Sequence, residues 1–151
     1  MSVKIRKSRF TDVLSICRCN KAVLPISYSI SEYISFMMDK SILLYVAEDL
    51  DQNIIGYILS QYDKKFTHIL SIGVYEKYQR LGIGTMLINF LESNVNNLTD
   101  NLSLNVHVEN IKAIKFYEKI GFSKKETLEN YYSGNLKNVK SQSAYRFEKK
   151  L

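Results

Sequence analysis

From the N-terminus, apolar and polar positions first alternate with a period of two over Val3-Lys4-Ile5-Arg6, which predicts a strand. From Phe10 to Val23 the period becomes helical, with Val13, Leu14, Ile16 and Cys17 as the buried stripe and Asp12 favourably placed in the first turn. Pro25, the sole proline, ends that helix. Ile30 to Met38 predicts a second short helix, capped by Ser29 or Ser31. Strands follow at Leu43–Glu48 and Ile54–Leu59, joined as a hairpin through Asp51-Gln52-Asn53, and at Phe66–Val74 after Asp63-Lys64-Lys65. Next come a helix from about Ile83, a strand near Leu102–Val108 and a helix near Ile111–Ile120. Two last strands are predicted around Ser123–Tyr131 and Ser141–Glu148, with Ser133-Gly134-Asn135 turning between them. The order is β-α-α-β-β-β-α-β-α-β-β, without repeats, linkers or low-complexity tracts.

One junction in this pattern carries chemistry. Gln79-Arg80-Leu81-Gly82-Ile83-Gly84-Thr85 lies between the strand ending at Val74 and a helix in which Met86, Leu87, Phe90, Leu91 and Val95 recur. The first N–H groups of that helix have no intrahelical partner and sit at the positive end of its dipole, so the turn suits a phosphate. The glycines let a ligand approach the backbone, and Arg80 and Lys77 can add charge-assisted contacts. The P-loop pattern is excluded, because Thr85-Met86 stands where Lys-Ser/Thr is required. The dinucleotide fingerprint is excluded by Leu87 at its third glycine. Taken alone, Gly-x-Gly also fits an ordinary strand-to-helix turn.

A second segment, Asn110-x-x-Ala113-x-x-Phe116-Tyr117-x-x-x-Gly121-Phe122, follows in order. The pair, Gln-Arg-x-Gly-x-Gly and then Asn-x-x-Ala-x-x-Phe-Tyr-x-x-x-Gly-Phe, resembles the GNAT superfamily of acetyl-CoA-dependent N-acetyltransferases over nearly the whole chain. The resemblance implies an α/β (α+β) fold, a mixed and mostly antiparallel seven-stranded sheet with helices on both faces. Leu24-Pro25-Ile26-Ser27-Tyr28 and Asn130-Tyr131-Tyr132 are further similar to the protein N-terminal acetyltransferases, of the NatE catalytic-subunit and ribosomal-protein alanine acetyltransferase type. Acetyl-CoA as cosubstrate, a protein N-terminus or peptide as acceptor, and an auxiliary subunit or ribosome as partner are what this implies.

The resemblance also assigns roles. Backbone groups of Ile72, Gly73 and Val74 would hold the pantetheine arm and polarise the thioester carbonyl, with Gln79, Arg80, Leu81, Gly82, Ile83, Gly84 and Thr85 around the pyrophosphate. Asn110 would lie near the cofactor arm, or serve only as a helix cap. Tyr117 stands where the family has the acid that protonates the CoA sulfur; otherwise it is a core aromatic beside Phe116. Where the NatE-type pattern has a tyrosine and a histidine for base chemistry, this chain has His68 and Asn105. Asparagine cannot take up a proton but can orient a water, so the base is His68, His107 or a water on Asn105. Tyr28, Tyr131 and Tyr132 would flank the peptide, and Leu24, Pro25, Ile26, Leu70 and His107 would line its pocket, which suits an apolar, Met-like first residue.

Composition sets limits. A single domain of 151 residues buries about 70% of its unfolded surface, and a 46% hydrophobic fraction with eleven Tyr and seven Phe supports that core. The net charge of +6 favours anionic ligands, among them CoA phosphates, without selecting one. Lysines are scattered and no nucleic-acid-binding motif is present. Cys17 and Cys19 point to different faces of one helix, which implies neither a disulfide framework nor a metal site. Without a signal peptide or an apolar run of about 18 residues, a soluble cytoplasmic protein is expected, with no membrane association. Two other functions remain open on sequence: acetylation of a small amine such as a polyamine, sugar amine or antibiotic, and a non-catalytic acyl-CoA-binding subunit.

Overall fold

The computed structural model describes residues 2–151. Its strands are β1 (Lys4–Lys7), β2 (Ile42–Glu48), β3 (Ile54–Tyr62), β4 (Phe66–Val74), β5 (Asn101–His107), β6 (Ser123–Leu128) and β7 (Ala144–Lys150). The helices are α1 (Val13–Val23), α2 (Ile30–Met38), α3 (Ile83–Val95) and α4 (Ile111–Lys119), with 3₁₀ turns at Phe10–Asp12 and Glu76–Tyr78. The seven strands form one sheet in the order β1-β2-β3-β4-β5-β7-β6. Every neighbouring pair is antiparallel except β4 and β5.

Alternation along the strands builds two cores. From β2, Leu44 and Val46 face α1 and α2 with Val13, Ile16, Tyr33, Tyr57 and Leu59. Tyr45 and Ala47 face α3 and α4 with Ile58, Leu87, Leu91, Leu104 and Phe147. Each fully buried Leu or Ile contributes roughly 1.5–3 kcal/mol, so the two layers clamp the sheet from both sides.

The β4–β5 pairing positions the site. It runs only from Phe66↔Asn101 to Ile69↔Leu104. Beyond it β4 continues to Val74 against β3, and β5 continues to His107 against β7. The two strands therefore diverge, and their facing edges carry backbone groups without ladder partners. At the fork, Leu59 pairs with Ser71 and Ser60 with Ile69, leaving Leu70 as the extra residue of a β-bulge.

Two local expectations, the buried stripe of α1 and the length of the last hairpin, are corrected, and the choice of cap for α2 is settled. Leu14 is 53% exposed and Cys17 only half-buried; the buried face of α1 is Val13, Ile16, Cys19 and Asn20. The chain enters α1 through the Phe10–Asp12 3₁₀ turn, and Leu14 lies about 100° around the helix from Val13. Asp12, beyond its first-turn position, is buried and takes two hydrogen bonds from the Arg6 guanidinium, at 2.8 and 3.0 Å. Ser29, not Ser31, caps α2, its Oγ accepting from Glu32 N at 3.1 Å. The last hairpin is shorter than its pattern: β6 stops at Leu128 and β7 starts at Ala144. Asn130, Ser133, Gly134 and Asn138 have positive φ, and Gln142 Oε1 accepts from Gly134 N and Leu136 N, so the intervening chain folds on itself.

Candidate active site

The divergence of β4 and β5 opens a cavity of about 660 Å³. It gathers Leu24, Pro25, Ile26 and Tyr28 from the α1–α2 loop, His68, Leu70 and Ile72 from β4, and Asn105 and His107 from β5. Asn110 and Tyr117 of α4 and Tyr131 and Tyr132 of the β6–β7 loop complete the wall. Residues far apart in sequence thus face one space. Gly73, Val74 and Gln79–Thr85 lie outside this lining, at and beyond the C-terminal end of β4.

At that end the chain turns into α3. Arg80 and Gly82 both have positive φ, 64° and 82°, and Gly82 is the residue before the helix. Its carbonyl accepts from Met86 N at 2.9 Å, and no side chain caps the first amides of α3. A Cβ on Gly82 would meet nothing within 4 Å, so the turn is open at that point. Gly84 differs: a Cβ there would stand 3.2 Å from Phe116 Cζ, so this glycine also serves the packing of α3 on α4. The Gln79 side chain is already engaged. It donates to Val74 O at 2.9 Å and accepts from Lys112 Nζ at 2.9 Å, tying the end of β4 to the start of α4.

His68 stands just before the fork. Its Nδ1 is 2.7 Å from Ser103 Oγ. Burial, reinforced by the nearby Arg146 charge, lowers its pKa below the ordinary value, so the ring is neutral at physiological pH. Arg146 itself donates to Glu148 at 2.9 Å. Asn105 Oδ1 is buried and has no hydrogen-bond partner among the described residues. A buried acceptor left unpaired is costly, which fits an oxygen that serves a bound molecule.

His107 has one ring nitrogen engaged outside the cavity. Its Nε2 donates to Ser141 O at 2.7 Å, and its ring packs edge-on to Tyr132 at 5.6 Å. Glu109 accepts from Lys140 N and Ser141 N, at 2.9 and 2.7 Å, so the two side chains together pin the β6–β7 loop. Asn110 caps α4, its side chain accepting from Ala113 N at 3.2 Å, and also reaches the cavity wall.

Tyr117 is 9% exposed and packs against Phe116 and Phe122, at 5.2 and 5.8 Å between centroids. Burial, and then the nearby Tyr132, push its pKa well above the ordinary phenol value, so it holds its proton at neutral pH. The ring belongs to the core, and the residue also borders the cavity.

Sequence reasoning missed several supporting groups. Ser103 and Ser71 are small polar residues inside apolar strands, and Asn20 shares the α1 face of Val13 and Ile16. A polar residue at an apolar position of the period was the available signal. Among the described residues, no group of three or more His, Cys, Asp or Glu could hold a metal, and no helix is long and apolar enough to cross a membrane.

Comparison with known proteins bears on this geometry. The model of the Acetyltransferase (GNAT) family matches residues 14–122. An N-alpha-acetyltransferase of Sulfurisphaera tokodaii is 31% identical over 144 residues, covering 86% of each chain. The N-terminal acetyltransferase A complex catalytic subunit NAA10 of Arabidopsis thaliana is 28% identical over 99% of this chain and 78% of its own. Among solved structures, Chaetomium thermophilum Naa20 in complex with a bisubstrate analogue superposes with a TM-score of 0.84, at 26% identity, over 98% of this chain and 86% of that one.

Proposed function

This chain belongs to the acetyltransferase (GNAT) family, and from that premise we propose that it transfers the acetyl group of acetyl-CoA to the N-terminal α-amine of a protein or peptide. The observation that carries the proposal is the cavity at the β4–β5 fork. It joins a neutral imidazole, an unpaired asparagine oxygen and a protonated phenol beside an aromatic-walled pocket.

Acetyl-CoA supplies an activated thioester, and the chain's own groups do the rest. The unladdered edge of β4 offers the N–H groups of Ile72 and Val74, on either side of Gly73, to the pantetheine arm and to the thioester carbonyl. The uncapped amides at the start of α3, with the Arg80 side chain, suit a pyrophosphate. Gln79 holds that turn in place through Val74 and Lys112, and Asn110 aligns α4 beside it. Tyr117 carries the proton that a departing thiolate requires. His68, neutral, takes the proton lost by the attacking amine, and Asn105 orients the amine or a water beside it.

The acceptor pocket is apolar. Leu24, Ile26 and Leu70 suit an uncharged first side chain such as Met, and the phenols of Tyr28, Tyr131 and Tyr132 can bond the peptide backbone. His107 contributes by holding the loop that carries Tyr131 and Tyr132. The NAA10 relative is named as a catalytic subunit of a complex, and an auxiliary subunit or a ribosomal setting in the cytosol fits the same proposal.

Acetyl-CoA turnover against peptides varied at their first two residues, beside a polyamine and a sugar amine, tests it. Peptides with an apolar first residue should be turned over best. Turnover restricted to the small amines would transfer the function to that class, and CoA binding without turnover would make the chain a non-catalytic subunit.

A further inference from the structure

The segment between α1 and α2 brings Leu24, Ile26 and Tyr28 to the cavity but forms neither helix nor strand. What fixes it is a single amide. Asn20, on the last turn of α1, is fully buried. Its Oδ1 accepts from the Tyr33 hydroxyl at 2.7 Å and from Tyr28 N at 3.2 Å. Its Nδ2 donates to Ile26 O at 3.4 Å, and its own carbonyl accepts from Leu24 N at 3.0 Å. The orientation of the amide is determined by chemistry: two donors converge on one atom, which must be the oxygen, so the nitrogen faces the Ile26 carbonyl. A buried amide is costly unless bonded, and here nearly all of its capacity is spent on the loop and on Tyr33.

Tyr33 connects this clamp to the sheet. It is fully buried, and its ring meets Tyr28 at 5.9 Å and Tyr57 at 6.4 Å, both edge-on. The Tyr57 hydroxyl lies 2.7 Å from Ser71 Oγ, on the residue that follows the Leu70 bulge. A continuous buried series therefore runs from the loop through Asn20, Tyr33 and Tyr57 to the bulge beside the fork.

We propose that Asn20 is a positioning residue for the acyl acceptor: it holds Leu24, Ile26 and Tyr28 at a fixed separation from the β4 bulge, and so sets the pocket that receives the first residue of the peptide. This rests on the reading that the loop faces a peptide N-terminus. Asn20 lines neither the cavity nor the turn into α3, so its effect on catalysis passes through the loop rather than through a contact with the cofactor.

The test measures peptide KM and CoA Kd separately on the purified full chain. If the unaltered protein acetylates no peptide N-terminus, the underlying reading fails and this inference falls with it. Where it does, Asn20→Ala should raise peptide KM roughly 10-fold and leave CoA Kd within about twofold, as loss of two hydrogen bonds to the loop implies. Tyr33→Phe keeps the ring and removes one donor, so it should raise peptide KM about threefold. It decides the matter alone if Asn20→Ala does not fold. In either variant the Tyr28 amide should exchange faster while the β4 amides do not, a signature that a general loss of stability would not produce. Unchanged peptide KM in the folded variants, or KM and CoA Kd worsening together, would overturn the proposal.

Discussion

His68 and Ser103 are register partners on β4 and β5, and their side chains meet as well, Nδ1 standing 2.7 Å from Oγ. The contact lies one rung before the pairing ends at Ile69↔Leu104. The serine thereby fixes the imidazole at the edge of the fork, and Nε2 makes no hydrogen bond to the described residues. Burial and Arg146 keep the ring neutral, the state a proton acceptor needs.

A pH profile follows from this pair. Because its pKa is lowered, His68 should give kcat/KM a rising limb below about pH 6.5, separate from the limb of the peptide α-amine near pH 7.7–8.0. His68→Gln should remove the lower limb and reduce the plateau about 10²-fold or more. Ser103→Ala should keep the limb but weaken the rate by a smaller factor. If His68→Gln leaves the profile intact and Asn105→Ala depresses the rate, the base is a water held by Asn105.

Tyr117→Phe should lower kcat by about 10²–10⁴-fold while acetyl-CoA KM moves little, since the ring contacts with Phe116 and Phe122 persist. Pre-steady-state kinetics, with the chemical step shown to be limiting, checks this. An unchanged rate would return the residue to the core alone.

The two glycines of the turn should respond differently. Gly82→Ala places a methyl where no atom lies within 4 Å, at a φ of 82° that costs an L-residue roughly 1–2 kcal/mol, so the core survives and CoA affinity falls. Gly84→Val presses on Phe116 and should lower Tm as well as CoA binding. Calorimetric titration beside thermal melts separates the two effects.

How far the sequence spoke depends on the range of the interaction. Strand and helix order followed local period, and the turn into α3 followed from glycine spacing, because both are decided within a few residues. The bulge at Leu70 was not legible, since it depends on register against β3. Nor was the commitment of His107 to Ser141, a contact across 34 positions that only the folded β6–β7 loop creates. The exposure of Leu14 is not legible either, because the 3₁₀ turn ahead of α1 leaves the helix phase open. Asn20 is not legible as a clamp in the sequence, because a polar residue on an apolar face reads as an interruption until its three partners are in place.

A stability prediction concerns Arg6 and Asp12, paired at 2.8 Å beside Glu48. Burial works against the Asp12 carboxylate, yet hydrogen bonds from Arg6 and from Arg9 N prevail and hold its pKa below the ordinary value. Its contribution is therefore present above about pH 4 and is lost as pH falls through the lowered folded-state pKa. Asp12→Ala should cost about 3 kcal/mol at neutral pH, the lower end for a broken buried pair because Glu48 still meets Arg6. Chemical denaturation at pH 7 and pH 3 should show the difference between variant and parent shrinking at the lower pH.

Locating the transferred acetyl group decides between the α-amine and other acceptors. A Met-first peptide that also carries an internal lysine is incubated with acetyl-CoA and the protein, and the product is fragmented in a mass spectrometer. A single acetyl group is expected on the α-nitrogen, and none when that nitrogen is blocked beforehand. Acetylation confined to the lysine, or persisting on the blocked peptide, would contradict that expectation.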